Sequence, residues 1–295
     1  MMAVIADTID PAFDLIEPSR LAAPFLFNSP HSGVVYPRAF VEQARLPLHT
    51  LRRSEDTLVD ALFRDVTAHG MAFMRALFPR CYLDLNREPY ELDPRMFEGR
   101  LPAFANTRSM RVSGGLGTIA RIVGEAQEIY ARRIPVDEAI LRIETLYKPY
   151  HRALRQRMVQ MQRSFGVAVL VDCHSMPSGC PRDERSRVDI VIGDRYGTSC
   201  APALSDIMET ELRRRGYSVV RNKPYAGGFI TEHYGNPASG MHAVQIEINR
   251  ALYMDEPTYQ ASERFEGLRQ DLLEVAKTLS QIAHIELTPA RTAAE

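Results

Sequence analysis

The sequence predicts an α/β protein of three layers, a central sheet with helices on both faces. Short apolar runs that stop at small and polar residues, as buried strands do, are the first sign. The second is that such runs alternate along the chain with stretches of helical period. The third is size: 295 residues, 45% of them hydrophobic, suffice for a large core.

Residues 1–20 read as a poorly ordered lead-in and 288–295 as a frayed tail. One catalytic domain is expected over 21–287. The run Pro24-Phe-Leu-Phe-Asn-Ser-Pro-His31-Ser-Gly33 reads as a strand that ends by presenting His31. A helix is expected over 57–69, with Glu55 and Asp56 just before it, where acidic residues complement the helix dipole. A strand follows at 71–77. In Tyr82-Leu-Asp-Leu-Asn86-Arg87 the polar Asp84 and Asn86 alternate with Leu83 and Leu85, which reads as a strand closed by Arg87 before Pro89.

The clearest helix carries Ile140, Ile143, Tyr147, Tyr150, Leu154, Met158 and Met161 on one stripe and stops at Gly166. The strand Val167-Ala-Val-Leu-Val-Asp-Cys-His174 follows at once. Further strands are expected at 188–192, 217–221 and 242–248, and helices at 199–215 and 257–283. Segments 88–117 and 175–187 are long, irregular and rich in Pro, Gly, Arg and Ser. One follows Arg87 and the other His174, so both read as walls of a site.

A net charge of −1 gives no electrostatic case for nucleic acid or an anionic membrane. No stretch approaches the roughly 18 apolar residues that cross a bilayer. Met1-Met-Ala-Val-Ile-Ala-Asp7 is too short and too soon acidic for a signal peptide. Four cysteines, Cys81, Cys173, Cys180 and Cys200, form no CxxC pair and read as reduced thiols. A cytoplasmic protein is expected.

Ligand sites of such sheets gather outside the carboxyl ends of the strands. Two histidines delivered there from distant parts of the chain, His31 and His174, suggest a metal. A catalytic zinc takes about three His or Asp/Glu ligands and keeps one position open. Glu55 and Asp56 are the carboxylate candidates. Asp172 is assigned to the opposite strand face from His174, as a supporting group rather than a third ligand. In His242-Ala-Val-Gln-Ile-Glu247-Ile-Asn-Arg250, Gln245, Glu247 and Asn249 share one face, and Glu247 is either a general base or half of a structural ion pair. Arg87, with its planar fork, suggests an anionic substrate. His233 and His242 read as structural histidines.

Taken in order, Ser29-Pro-His31-Ser-Gly33, Asp84-Leu-Asn-Arg87, Tyr150-His151, Asp172-Cys-His174-Ser, Gly228-Phe-Ile-Thr-Glu-His-Tyr-Gly235 and the block His242–Glu256 resemble the N-formylglutamate amidohydrolase family over about residues 24–275. The resemblance implies a zinc-carboxypeptidase-like fold with a mixed, mostly eight-stranded sheet. It implies zinc, or another divalent transition metal, on His31, Asp56 and His174, with Asp56 preferred to Glu55, and Glu247 as general base. It places Asn86 and Arg87 on the substrate α-carboxylate, with Arg121, His151 and Thr231 also at the substrate. Arg108, Arg111, Arg121 and Lys223 are alternative partners for a substrate side-chain carboxylate, and the sequence does not choose among them. The implied reaction is hydrolysis of N-formyl-L-glutamate to formate and glutamate, a step of histidine degradation. The alternative is a metal-dependent deacylase of another N-acyl amino acid or of a peptide side-chain amide. A metal-free hydrolase with Ser32, Ser175 or Cys173 as nucleophile and His151 as base lacks a GxSxG elbow. A binding module on a decayed hydrolase fold fits poorly with His31, His174 and Glu247 all present.

Overall fold

The computed structural model describes residues 2–124, 126–179, 188–282 and 284–287. The second half of segment 175–187, Cys180 and the 288–295 tail lie outside the described residues.

Among the described residues the main sheet has seven strands: β1 (Phe13–Ile16), β2 (Phe25–Ser29), β3 (Ala72–Ala76), β4 (Ala168–Met176), β5 (Ile190–Gly193), β6 (Val219–Arg221) and β7 (Met241–Asn249). Their order is β6-β5-β7-β4-β2-β3-β1. β4 runs parallel to β2 and β7, whereas β5 is antiparallel to β7, so the sheet is mixed. β4 and β7 are central strands, buried almost end to end, which explains their Val- and Ile-rich runs.

The main helices are α1 (Val59–Phe63), α2 (Lys148–Phe165), α3 (Pro202–Arg214), α4 (Phe229–Tyr234) and α5 (Phe265–Ser280). The expected 57–69 helix is α1 followed by a 3-10 turn at Arg64–His69, closed by Gly70 at φ 77°. The long amphipathic helix begins at Val136 and passes through a π segment, Ile143–Tyr147, before α2. The helix expected over 257–283 starts at Phe265, because Met254–Asp255 pairs with Gln260–Ala261 ahead of it.

Two expectations are corrected. The lead-in is structured: Val4–Ala6 pairs in parallel with Val35–Pro37, and β1 joins the sheet. Long-range side-chain ties hold it. Phe13 meets the Tyr150 ring edge-on at 5.4 Å, and Asp14 accepts from Arg75 Nε and Nη2 at 2.9 and 2.8 Å. Conversely, 82–87 forms no strand. Leu83 and Leu85 are buried, but the Asp84 N–H donates to the Thr118 carbonyl, and no ladder develops.

The chain divides into two compact units. One comprises 1–14, 30–57 and 75–154, and the other 15–29, 58–74 and 155–295. The first is organised around a buried cation. Arg142 lies 3.9 Å from the Tyr82 ring centroid and donates to the Tyr130 hydroxyl at 2.7 Å and the Tyr82 carbonyl at 3.1 Å. The second holds most of the sheet and its apolar core. Val169, Val171 and Cys173 of β4 and Val244, Ile246 and Ile248 of β7 pack with Val59 and Leu62 of α1, Leu204 and Met208 of α3, and Leu272 and Val275 of α5. Strand alternation therefore sends Asp172, His174, Gln245 and Glu247 to the opposite face. Among the described residues, no helix is long and apolar enough to cross a membrane.

Candidate metal centre and active site

β2 ends at Ser29, and Pro30 turns the chain so that His31 follows two residues past the strand. Gly33 is required there, because a Cβ would meet the Phe78 carbonyl oxygen at 2.1 Å. The His31 segment is stitched to residue 56 by its backbone. Asp56 N–H donates to the His31 carbonyl at 3.0 Å, and the Ser32 hydroxyl donates to the Asp56 carbonyl at 3.0 Å. These bonds set the Asp56 carboxylate against the His31 ring, with Oδ2 3.3 Å from Nδ1.

Glu55 is committed elsewhere. It accepts from the Tyr36 hydroxyl at 2.6 Å, the Thr57 hydroxyl at 2.9 Å and Arg52 Nε at 3.1 Å. Burial raises its carboxyl, with those bonds acting in the opposite sense. Asp56, not Glu55, is the carboxylate beside His31.

The other edge of His31 meets Asp84, with Nε2 2.8 Å from Oδ1. Arg80 Nε lies 2.9 Å and Arg87 Nη2 3.5 Å from the same carboxylate, and Asn86 N–H donates to it at 2.8 Å. Burial works to raise the Asp84 carboxyl, but Arg80, Arg87 and His31 outweigh it and hold the group well below the usual carboxylate range. An ionised Asp84 only accepts, so His31 donates from Nε2, and in the neutral imidazole Nδ1 is then the nitrogen that can ligate. Nδ1 of His31 and Oδ2 of Asp56 face each other at 3.3 Å, near enough for both to ligate one ion.

His174 is oriented in the same manner by a different route. Asp172 accepts from His174 Nε2 at 2.7 Å and from the Asn28 amide at 2.7 Å. The expectation that Asp172 points away from His174 is therefore wrong: residues two apart on a strand share a face. Its expected supporting role, rather than ligation, fits these contacts. Donation from Nε2 leaves Nδ1 of His174 as the lone-pair nitrogen. One ligand atom each of His31, Asp56 and His174 lie within 4.8 Å of one another, all three residues being buried. Two imidazoles and a carboxylate, each imidazole carrying a carboxylate on its far nitrogen, suit a divalent transition metal in donor type and number.

β7 brings Glu247 into direct register with His174 of β4. Gln245 Nε2 donates to Glu247 Oε1 at 2.8 Å, and its Oε1 accepts from Gly228 N–H at 3.1 Å. Arg250 donates to the Ser175 hydroxyl at 3.1 Å.

The Asn86-Arg87 loop is clamped from the long helix. The Tyr147 hydroxyl donates to the Arg87 carbonyl at 2.6 Å, and His151 Nε2 donates to the Leu85 carbonyl at 2.9 Å. His151 thus braces the loop. Arg87 itself donates to the Leu116 and Asn86 carbonyls at 2.8 and 2.7 Å. Burial lowers its pKa to about 10, with Arg80 and Arg111 adding to the effect and Asp84 opposing it. Thr231 is fully buried, its hydroxyl donating to the Gly228 carbonyl at 2.9 Å. Arg121 is engaged away from this cluster, donating from Nε to Asp93 at 2.9 Å and from Nη1 to Glu128 at 3.3 Å. His242 is structural, accepting from Ala201 N–H at 3.1 Å and donating to the Leu287 carbonyl at 2.7 Å. Cys173 lies on the apolar face, and burial pushes its thiol well above the ordinary range, so it is no ready nucleophile.

Sequence reasoning missed Asp84 and Arg80 as the partners that orient His31, and Gln245 as the link to Glu247. The available signal for Asp84 was an acid inside an apolar run, flanked by arginines at −4 and +3.

Residues 23–254 match the N-formylglutamate amidohydrolase family. The chain is 30% identical over 270 residues to an N-formylglutamate deformylase of Pseudomonas putida, covering 88% of this chain and 91% of the relative. It is 27% identical to an N-formylglutamate deformylase of Pseudomonas aeruginosa, covering 88% of this chain and 94% of that one. A crystal structure of N-formylglutamate amidohydrolase from Ralstonia eutropha JMP134 superposes with a TM-score of 0.87 at 38% identity, covering 92% of this chain and 97% of that chain. The Atu2144 gene product of Agrobacterium tumefaciens shares the fold, with a TM-score of 0.67 at 18% identity over 92% of this chain and 94% of its own.

Proposed function

The chain belongs to the N-formylglutamate amidohydrolase family, a hydrolase acting on an amide, and from that premise we propose that it cleaves N-formyl-L-glutamate to formate and L-glutamate with a divalent metal, zinc by preference. The observation that carries the metal reading is the buried convergence of His31, Asp56 and His174 within 4.8 Å. When bound, the ion supplies Lewis acidity, polarising the scissile carbonyl and acidifying water.

Glu247 is the general base. Its carboxylate accepts the proton of the attacking water as the new C–O bond forms. It then hands that proton to the amine nitrogen as the C–N bond breaks, so glutamate leaves as the free amine. Gln245 holds one carboxylate oxygen of Glu247 at 2.8 Å. Asp84 and Asp172 keep the two imidazoles in the tautomer that turns a lone pair inward. Asn86 and Arg87, on a loop fixed by Tyr147 and His151, receive the substrate α-carboxylate. Thr231 shapes the Gly227–Gly228 turn: a Cβ at Gly227 would meet its hydroxyl at 2.4 Å.

The test is formate release by the metal-loaded protein from N-formyl-L-glutamate, beside N-formyl-L-aspartate and N-acetyl-L-glutamate. The proposal predicts the highest kcat/KM for N-formyl-L-glutamate. A higher value for either comparator reassigns the substrate, and no release from any of the three removes the deformylase reading.

A further inference from the structure

Arg45, Arg95, Arg121, Arg132 and Arg133 line a single cavity of about 150 Å³, together with Glu128. None of His31, Asp56, Asp84 or Arg87 lines it. Among the described residues, two carboxylates serve these five guanidinium groups. Buried Asp93 accepts from Arg95 Nε at 2.9 Å and from Arg121 Nε at 2.9 Å. Glu128 lies 3.3 Å from Arg121 and 3.4 Å from Arg45. Arg132 and Arg133 are exposed. Among the described residues, neither reaches a carboxylate at ion-pair distance. Among the described residues, the five arginines outnumber Glu128 of the lining and Asp93 beside it by three.

Five like charges around one concavity repel, and a concave wall focuses their field. An oxyanion relieves that repulsion, and guanidinium forks match its paired oxygens. Asp93 gives the site its order: one buried carboxylate holds two of the forks in place. The cavity is below the roughly 300–1,000 Å³ of pockets that hold drug-sized ligands, which favours a compact anion over a nucleotide or a peptide.

We propose that this cavity is a second binding site, for a compact, multiply charged oxyanion, either phosphate or a short oligocarboxylate. The reading is independent of the amidohydrolase proposal. The site also borders the loop that holds Arg87. Arg121 N–H donates to the Gly115 carbonyl at 2.9 Å, and the next residue, Leu116, accepts from Arg87 Nε at 2.8 Å.

The test is calorimetric titration of the metal-loaded full chain with inorganic phosphate and, separately, with tricarballylate, at an ionic strength fixed by chloride. Saturable one-to-one binding of at least one probe is expected, weakened at least tenfold in Arg132→Ala/Arg133→Ala and in Arg45→Ala, and largely kept in Arg132→Lys/Arg133→Lys. Saturation by phosphate alone assigns a phosphate site, by tricarballylate alone an oligocarboxylate site, and by both a general oxyanion site. Absence of saturable binding overturns the proposal. So does binding unchanged in the alanine variants, which puts the anion elsewhere, including on the metal. A matching rise in KM for N-formyl-L-glutamate in those variants also overturns it, by making the cavity part of the substrate pocket.

Discussion

His174 is carried in the interior of a central strand, whereas His31 is carried by a loop two residues past the end of one, and the two rings are oriented by different means. On the strand side, Asp172, His174, Gln245 and Glu247 occupy consecutive rows of the β4–β7 pair, and register alone brings them together. Side-chain bonds add to the register: Asn28 to Asp172, Asp172 to His174, and Gln245 to Glu247. On the loop side no ladder is available. There the chain uses backbone stitches between residues 31 and 56 and a carboxylate, Asp84, surrounded by His31, Arg80 and Arg87. A regular sheet positions groups at little electrostatic cost; an irregular loop achieves the same with a dense buried network whose members depend on one another.

The largest expected effect is on the strand side. Glu247→Gln keeps the shape and the Gln245 contact but removes the base, so kcat is expected to fall by about 10²–10⁴-fold while metal content is unchanged. Steady-state formate release and metal analysis check this together. Loss of metal in that variant would instead make Glu247 a ligand.

The next prediction sets the two carboxylates that orient the rings against each other. Asp84→Asn and Asp172→Asn are each expected to weaken metal affinity by about 10–100-fold. Only Asp84→Asn strips a countercharge from buried Arg87 and from Arg80, so only it is expected to lower unfolding stability by about 2 kcal/mol or more. Metal titration and denaturant unfolding separate the two quantities. Equal stability losses would erase the distinction between loop network and strand register.

A smaller effect is expected for Gln245→Ala, which frees the Glu247 carboxylate without removing it: a drop in kcat of about tenfold at unchanged KM. A rise in KM instead would place Gln245 on the substrate. The smallest is Cys173→Ala, expected to leave kcat unchanged. In the parent protein Cys173 is expected to resist thiol reagents at pH 8, since burial holds it in the thiol form. Loss of activity in Cys173→Ala would revive a cysteine nucleophile.

The same contrast explains what was legible in the sequence. β4 and β7 are readable because a buried strand writes its period of two directly into residue order, so the sequence puts His174 and Glu247 on strands. Tyr82–Arg87 shows the same alternation but is no strand, because alternation reports burial of Leu83 and Leu85 and not ladder pairing. Asp84's partnership with His31 spans 53 residues and follows no period, so local pattern does not contain it. Arg121 shows a limit of reading charge alone. Its guanidinium meets Asp93 and Glu128, partners that no local pattern announces. The N-terminal strands were missed because their support, Phe13 on Tyr150 and Asp14 on Arg75, is long-range.

The central claim is that His31, Asp56 and His174 hold a catalytic divalent ion. Its most direct test is zinc titration of chelator-stripped protein by calorimetry, with formate release from N-formyl-L-glutamate followed at each step, beside His174→Ala. Binding of one zinc per chain, with activity rising to a plateau at the same equivalence point and both lost in His174→Ala, is the predicted result. Full activity in the stripped protein, or one tightly bound zinc retained in His174→Ala, would contradict the account.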